Sequence, residues 1–133
     1  MLILAHIAVA VSSIARSEAF YGRHFGFRRV KEYALASAGL RICILKKNAV
    51  ALELFEFKKR RPLPAYRKKL ASDLKTIGVK HFAFAVTDIQ ASYRDLKKAR
   101  VRFETPMRVF SDGARYFFIK DPDGILIELM EVR

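Results

Sequence analysis

One cysteine stands among the 133 residues, so no disulfide can close within the chain. Cys43 lies between Ile42 and Ile44, the setting of a buried strand thiol rather than a nucleophile. No apolar run approaches the roughly 20 residues that a membrane-spanning helix needs, so a membrane is not an expected partner. The apolar start, MLILAHIAVAV, has no basic segment ahead of it. A cleaved leader is therefore not expected, and a cytoplasmic location is the default. Acidic residues are scarce: 13 Asp and Glu face 26 Lys and Arg, for a net charge of +13. Such an excess fits a nucleic acid, an anionic small molecule or a solubilising surface. It is partly concentrated in KKRRPLPAYRKK (58–69), where seven of twelve residues are basic. A solvated connector is the preferred reading of that segment, and a rim that attracts an anionic substrate is the second. Nucleic-acid binding is not expected, because stacking aromatics should interleave such charge and only Tyr66 is there.

What the chain has instead is one unit written twice. A shift of 75 residues lays HIAVAVSSIARS (6–17) on HFAFAVTDIQAS (81–92), with six of twelve positions identical. The same shift, without a gap, lays LELFEF (52–57) on IELMEV (127–132). His6 to Glu53 and His81 to Glu128 therefore span the same 47 residues. Chance matches two apolar strands easily, but it rarely matches both ends of a long unit with titratable residues in register. Each unit reads as βαβββ. Strands are expected at 5–11, 27–35, 39–46 and 50–57 in the first, and at 80–86, 101–110, 114–120 and 125–132 in the second. Ser12 or Ser13 and Asp88 are the expected helix N-caps, and Gly26 ends the first helix. DPDG (121–124) is a turn, since Pro122 presets φ and Gly124 accepts a backbone conformation that other residues resist. The expected organisation is a module at 1–57, a basic connector at 58–79 with a short helix near 65–76, and a module at 80–133. With 52% hydrophobic residues the whole suits an α+β fold of two tandem modules sharing one domain.

Alternate residues of a strand share a face. His6 goes with Ala8 and Ala10, and His81 goes with Ala83 and Ala85, opposite bulkier faces that pack on a helix. Small residues leave room, so two such modules bent into open half-barrels would enclose a cavity. Glu53 and Glu128 each interrupt an apolar strand, where an unpaired carboxylate costs several kcal/mol. Two imidazoles and two carboxylates from four strands suit one divalent cation, with open positions left for substrate. Glu56 and Glu131 fall on the other faces near strand ends and are expected in solvent. His24 has no counterpart in the second unit and is expected at the surface.

These phrases, with YFFIKDPDGILIELME closing the chain, resemble the vicinal oxygen chelate superfamily of glyoxalase I, bleomycin-resistance proteins and extradiol dioxygenases. The resemblance covers nearly the whole chain. It implies paired βαβββ modules forming an open half-barrel cavity, common homodimers, and sites whose halves come from one subunit or from two. The His, Glu, His, Glu order resembles the ligands of bacterial glyoxalase I and assigns the metal to His6, Glu53, His81 and Glu128. Nickel, cobalt, zinc, manganese and iron all suit that set. Two glyoxalase I features for holding glutathione are missing: Ala10 stands where an arginine is expected, and no asparagine follows Glu53 in LFEFKK. Arg115 matches a basic position of small glyoxalase-like members and is a candidate for holding an anionic substrate group.

The function implied is a metal-dependent lyase or isomerase that moves a proton on a small substrate with adjacent oxygens. Glu128 is the expected base, and Glu53 the ligand or second base. Ring cleavage by an iron dioxygenase is the rival within the superfamily, although four protein ligands leave it one position short. A non-enzymatic small-molecule binder is the third reading.

Overall fold

The computed structural model describes residues 1–132. The chain divides after Pro62 into two units, Met1–Pro62 and Leu63 onward, so most of the basic connector goes with the second.

The first unit is β1 (Ile7–Ala10), α1 (Ile14–Phe25), β2 (Arg28–Leu35), β3 (Leu40–Lys47) and β4 (Val50–Phe57). Its sheet runs in the order β1-β4-β3-β2, with β1 parallel to β4 and the other pairs antiparallel. Ser13 caps α1, its hydroxyl accepting from the Arg16 N–H at 3.3 Å. Gly26 closes the helix at φ 73°, a conformation open to glycine at little cost. Ile14, Ser17 and Tyr21 recur at helical spacing and are the buried stripe of α1. Val9, Val11, Cys43, Leu45, Leu52 and Leu54 are buried beneath it. Each large apolar side chain sequestered in this way contributes roughly 1.5–3 kcal/mol.

The second unit repeats the plan. It holds α2 (Leu70–Asp73), β5 (Phe82–Val86), α3 (Ile89–Lys98), β6 (Arg102–Phe103), β7 (Arg108–Val109), β8 (Arg115–Lys120) and β9 (Leu126–Glu131). The sheet order is β5-β9-β8-β6, with β7 also on β8, and β5 lies parallel to β9. Asp88 caps α3, accepting from the Ala91 N–H at 2.8 Å. Ile89 and Leu96 bury one face of α3, and Tyr93 meets Phe103 and Phe117 edge-on.

The strand expected at 101–110 is broken. The N–H groups of Glu104 and Thr105 both donate to the Phe118 carbonyl, the mark of a bulge. Pro106 follows without an N–H to continue the ladder. The expected connector helix is shorter than 65–76: one 3₁₀ turn at Ala65–Arg67 precedes the single turn of α2. In DPDG the buried Asp121 organises the turn, its Oδ1 accepting from the N–H groups of Asp123 at 2.8 Å and Ile125 at 2.9 Å. Gly124 has φ 88°.

Candidate functional site

The duplicated phrases become duplicated geometry. In the first unit Ala8 pairs with Glu53 across β1 and β4; in the second Ala83 pairs with Glu128 across β5 and β9. Both registers carry the 75-residue shift found in the sequence. Each histidine sits two positions ahead of that alanine, on the same face. His6 Nε2 lies 3.0 Å from Glu53 Oε2, and His81 Nε2 lies 3.1 Å from Glu128 Oε2.

The small-residue faces are open. Ala8, Ala10, Ala83 and Ala85 are exposed within sheets whose opposite faces carry buried Val9, Val11, Ile127 and Leu129. The carboxylates are mostly covered: the side chains of Glu53 and Glu128 expose 15% and 11% of their surface. The imidazoles differ, with 50% of His6 and 22% of His81 exposed.

A cation's fit can be tested on these distances. Two ligand atoms each about 2.1 Å from one metal and about 90° apart stand about 3.0 Å from each other. Both His–Glu pairs have that separation. The donor set of two imidazole nitrogens and two carboxylate oxygens suits a borderline divalent cation. His81 Nδ1 is buried with no hydrogen-bond partner, so the ring's polar contact runs through Nε2, the nitrogen that faces Glu128. Each pair supplies two ligands; among the described residues no group of three or more His, Cys, Asp or Glu side chains is gathered to hold an ion.

Other residues reach the pairs without having stood out in the sequence. Tyr33 points its hydroxyl at Glu53 Oε1, 3.5 Å away. It lies on β2 opposite Ile42, and strand alternation alone carried only a weak signal for it. Phe118 pairs in register with Glu128 and meets the His81 ring edge-on at 4.8 Å. From Phe118 the aromatics continue along one face through Tyr116 to Phe110, the last two stacked at 3.9 Å. Leu70 of α2 packs on Phe118 and Leu126. Its N–H donates to Glu104 Oε1 at 2.8 Å, and Glu104 Oε2 meets Lys120 Nζ at 2.8 Å. Burial pushes the Glu104 carboxyl up; the Lys120 and Leu70 bonds, with the charges of Lys120 and Lys69, outweigh it and hold the group below its ordinary value.

Three expectations about charged side chains need correction. Glu56 is half-buried rather than solvated, and its Oε2 accepts from the Ile14 N–H at 2.6 Å, supporting the start of α1. Glu131 is likewise engaged, by Arg115, whose Nε donates to its Oε2 at 3.0 Å. That contact engages Arg115, the candidate for holding an anionic substrate group. It lies on the face of β8 that carries Phe117 and Ile119, opposite Phe118 and the His81–Glu128 pair. The Glu131 hydrogen bond raises its pKa further and takes up the Nε and Nη2 donors of the guanidinium. His24 is half-buried against Phe20, at 4.9 Å between ring centroids, and burial, with help from Arg23, pushes its pKa down. Cys43 is buried as expected, and burial raises its thiol pKa, which suits a core residue.

Comparison with known proteins places this geometry among relatives. Residues 3–129 match the family model of the Glyoxalase/Bleomycin resistance protein/Dioxygenase superfamily. The uncharacterized protein YaeR of Escherichia coli (strain K12) is 33% identical over 127 residues, covering 95% of this chain and 93% of YaeR. The mitochondrial methylmalonyl-CoA epimerase of Homo sapiens is 26% identical over 130 residues, covering 95% of this chain and 72% of the epimerase. The crystal structure of a glyoxalase family protein from Enterococcus faecalis superposes with a TM-score of 0.83 at 26% identity, covering 97% of each chain.

Proposed function

The chain belongs to the Glyoxalase/Bleomycin resistance protein/Dioxygenase superfamily, and on that premise we propose that it is a divalent-metal-dependent lyase or isomerase that transfers a proton on a small substrate with adjacent oxygen atoms. The observation that carries the reading is the twinned pair: His6 with Glu53 at 3.0 Å and His81 with Glu128 at 3.1 Å, at equivalent registers. His6, Glu53, His81 and Glu128 would hold the cation, the two pairs contributed by one chain or by two chains of a homodimer. Bound there, nickel, cobalt, zinc, manganese or iron would stabilise the negative charge that grows on substrate oxygen as a C–H bond breaks.

The chain's own residues do the rest. Glu128 takes the proton at its carboxylate and returns it to the same or the neighbouring carbon. Its covered position strengthens its interactions, since little water screens them. Glu53 is the second carboxylate and exchanges roles with Glu128 if the substrate presents its other face. Tyr33, near Glu53 Oε1, orients that carboxylate. Phe118 restricts the His81 ring, and Ala8, Ala10, Ala83 and Ala85 leave the space that a substrate needs. Similarity to an epimerase, an enzyme that inverts one carbon centre, supports proton transfer over ring cleavage. Two carboxylates also exceed the two-His-one-carboxylate set of iron oxygenases.

The test is metal content followed by exchange. Protein purified without a metal-binding tag should carry, or gain on reconstitution, one divalent ion per four-ligand set by mass spectrometry. In D₂O the loaded protein should move deuterium into 2-oxo acid, hemithioacetal or acyl-thioester substrates. A protein that carries no stoichiometric metal and gains none would retire the reading.

A further inference from the structure

Lys58, Lys59, Arg60 and Arg61 follow β4 directly and make no ion pair among the described residues. Their surroundings in the first unit are different: Arg29 is held by Glu18 and Glu32, and Arg41 by Glu32 and Glu56. Four adjacent like charges repel one another, and a bound anion relieves that repulsion. The four side chains border one shallow, open depression of the surface. The backbone beneath is fixed. The Lys58 N–H donates to the Gly39 carbonyl at 2.9 Å, and Arg60 Nη1 donates to the Phe57 carbonyl at 2.9 Å. Pro62 and Pro64 follow at once and restrict the chain further. A loop held in this way loses less entropy on binding than a free one.

The chemistry selects the anion. Lysine and arginine offer donors and no acceptors, and guanidinium forks match phosphate oxygens two at a time. A single carboxylate leaves most of these donors unused, whereas two or more phosphates use them. The placement selects the molecule. Phe57, the last residue of β4, follows Glu53 by four positions, about 13 Å at roughly 3.3 Å per residue, and Lys58 comes next. We propose that Lys58–Arg61 anchor the phosphate groups of an extended small-molecule substrate whose reacting end lies at Glu53, midway along β4. The substrate class is then a polyphosphorylated small molecule. The location of the reacting end rests on the proton-transfer reading; the phosphate site does not.

The test is a calorimetric titration of the intact protein with adenosine 5′-diphosphate at low ionic strength, with metal content measured on the same samples. Wild type should bind, and binding should weaken as salt rises. Replacing all four cations by alanine should weaken it at least tenfold, and the Lys59→Ala, Arg61→Ala double variant should fall between. These positions are exposed, so circular-dichroism melts should match wild type. The Glu53→Gln, Glu128→Gln double variant should bind the diphosphate as wild type does, which separates the loop from chelation by a bound metal. Undiminished affinity in the four-alanine variant, or affinity lost only in the glutamine variant, overturns the proposal. So does a duplex DNA that binds the loop far more tightly than the diphosphate, with a salt slope worth several phosphates. Loop-dependent diphosphate binding by a protein without stoichiometric metal upholds the phosphate site and retires only the proton-transfer reading.

Discussion

Replacing Glu128 with glutamine should move stability and chemistry in opposite directions. Its carboxylate is 11% exposed, and its near partner is His81 Nε2 at 3.1 Å. Around it stand Phe118, which pairs with it in register, and Ala83. Keeping an ion in such surroundings costs several kcal/mol before any compensation. A neutral amide of the same shape removes that penalty and can still accept a hydrogen bond from His81. Metal-free Glu128→Gln should therefore unfold no more easily than metal-free wild type, and an increase of about 1 kcal/mol is within reach. For a chain of this size that is about 3–5 °C in melting temperature. Function should move the other way. Loss of an outer hydrogen-bond partner alone weakens metal sites 10–100-fold, so loss of an anionic ligand should exceed about 100-fold. At saturating metal, deuterium exchange into substrate should still fall by about 10²–10⁴, the usual worth of a positioned base. That is about 2.7–5.4 kcal/mol of barrier. The assays are thermal melts of the metal-free proteins, competitive metal titration and exchange followed by NMR. A metal-free variant destabilised by more than 2 kcal/mol would mean that Glu128 serves the fold, and unchanged exchange at full loading would mean that it is not the base.

Ala83→Leu fills the open face beside Glu128 without touching the buried face, so its melt should stay within about 0.5 kcal/mol of wild type, while metal uptake and exchange are both lost. Uptake like that of wild type would show that the small residues do not shape the site. Arg115→Met breaks the pair with Glu131 on the other face; it should lower the melting temperature slightly and leave KM for any anionic substrate unchanged, and a raised KM would restore the substrate role. Glu104→Gln should cost about 1 kcal/mol at neutral pH, the upper end for an ion pair that water still reaches. Because the folded state holds this carboxyl below its ordinary value, its stabilisation is present above the unfolded carboxylate pKa of about 4.3. It is lost as pH falls through the folded value, so wild type and variant melts should converge in acid. A constant gap across pH would place the effect in packing instead.

Much of this fold was legible because it rests on local chemistry. Ser13 and Asp88 cap helices because a hydroxyl or carboxylate can satisfy N–H groups that a helix start leaves open. Asp121 and Gly124 make their turn from their own side-chain length and backbone freedom. The candidate site was legible for a rarer reason. Duplication wrote His6, Glu53, His81 and Glu128 in register, and parallel pairing of each unit's first and last strands brings histidine to glutamate. What resisted reading depends on partners far along the chain. Glu56 was placed in solvent because nothing in LFEFKK says that the Ile14 N–H, 42 residues away, will meet it. Arg115 looked free because its partner Glu131 lies across a strand pair, and the 101–110 strand looked whole because its bulge is made by the Phe118 carbonyl.

The sequence by itself determined which faces are apolar, where α1 and α3 start, and that His6–Glu53 and His81–Glu128 recur in register, since periodicity and composition act over a few residues. Tertiary structure alone decided which charges are spent on one another. Glu56, Glu131 and Arg115 are taken by neighbours that folding brings close, while Lys58–Arg61 keep theirs. An ion pair forms when two groups are within about 4 Å, and that distance between sequence-remote side chains exists only once the sheets have formed.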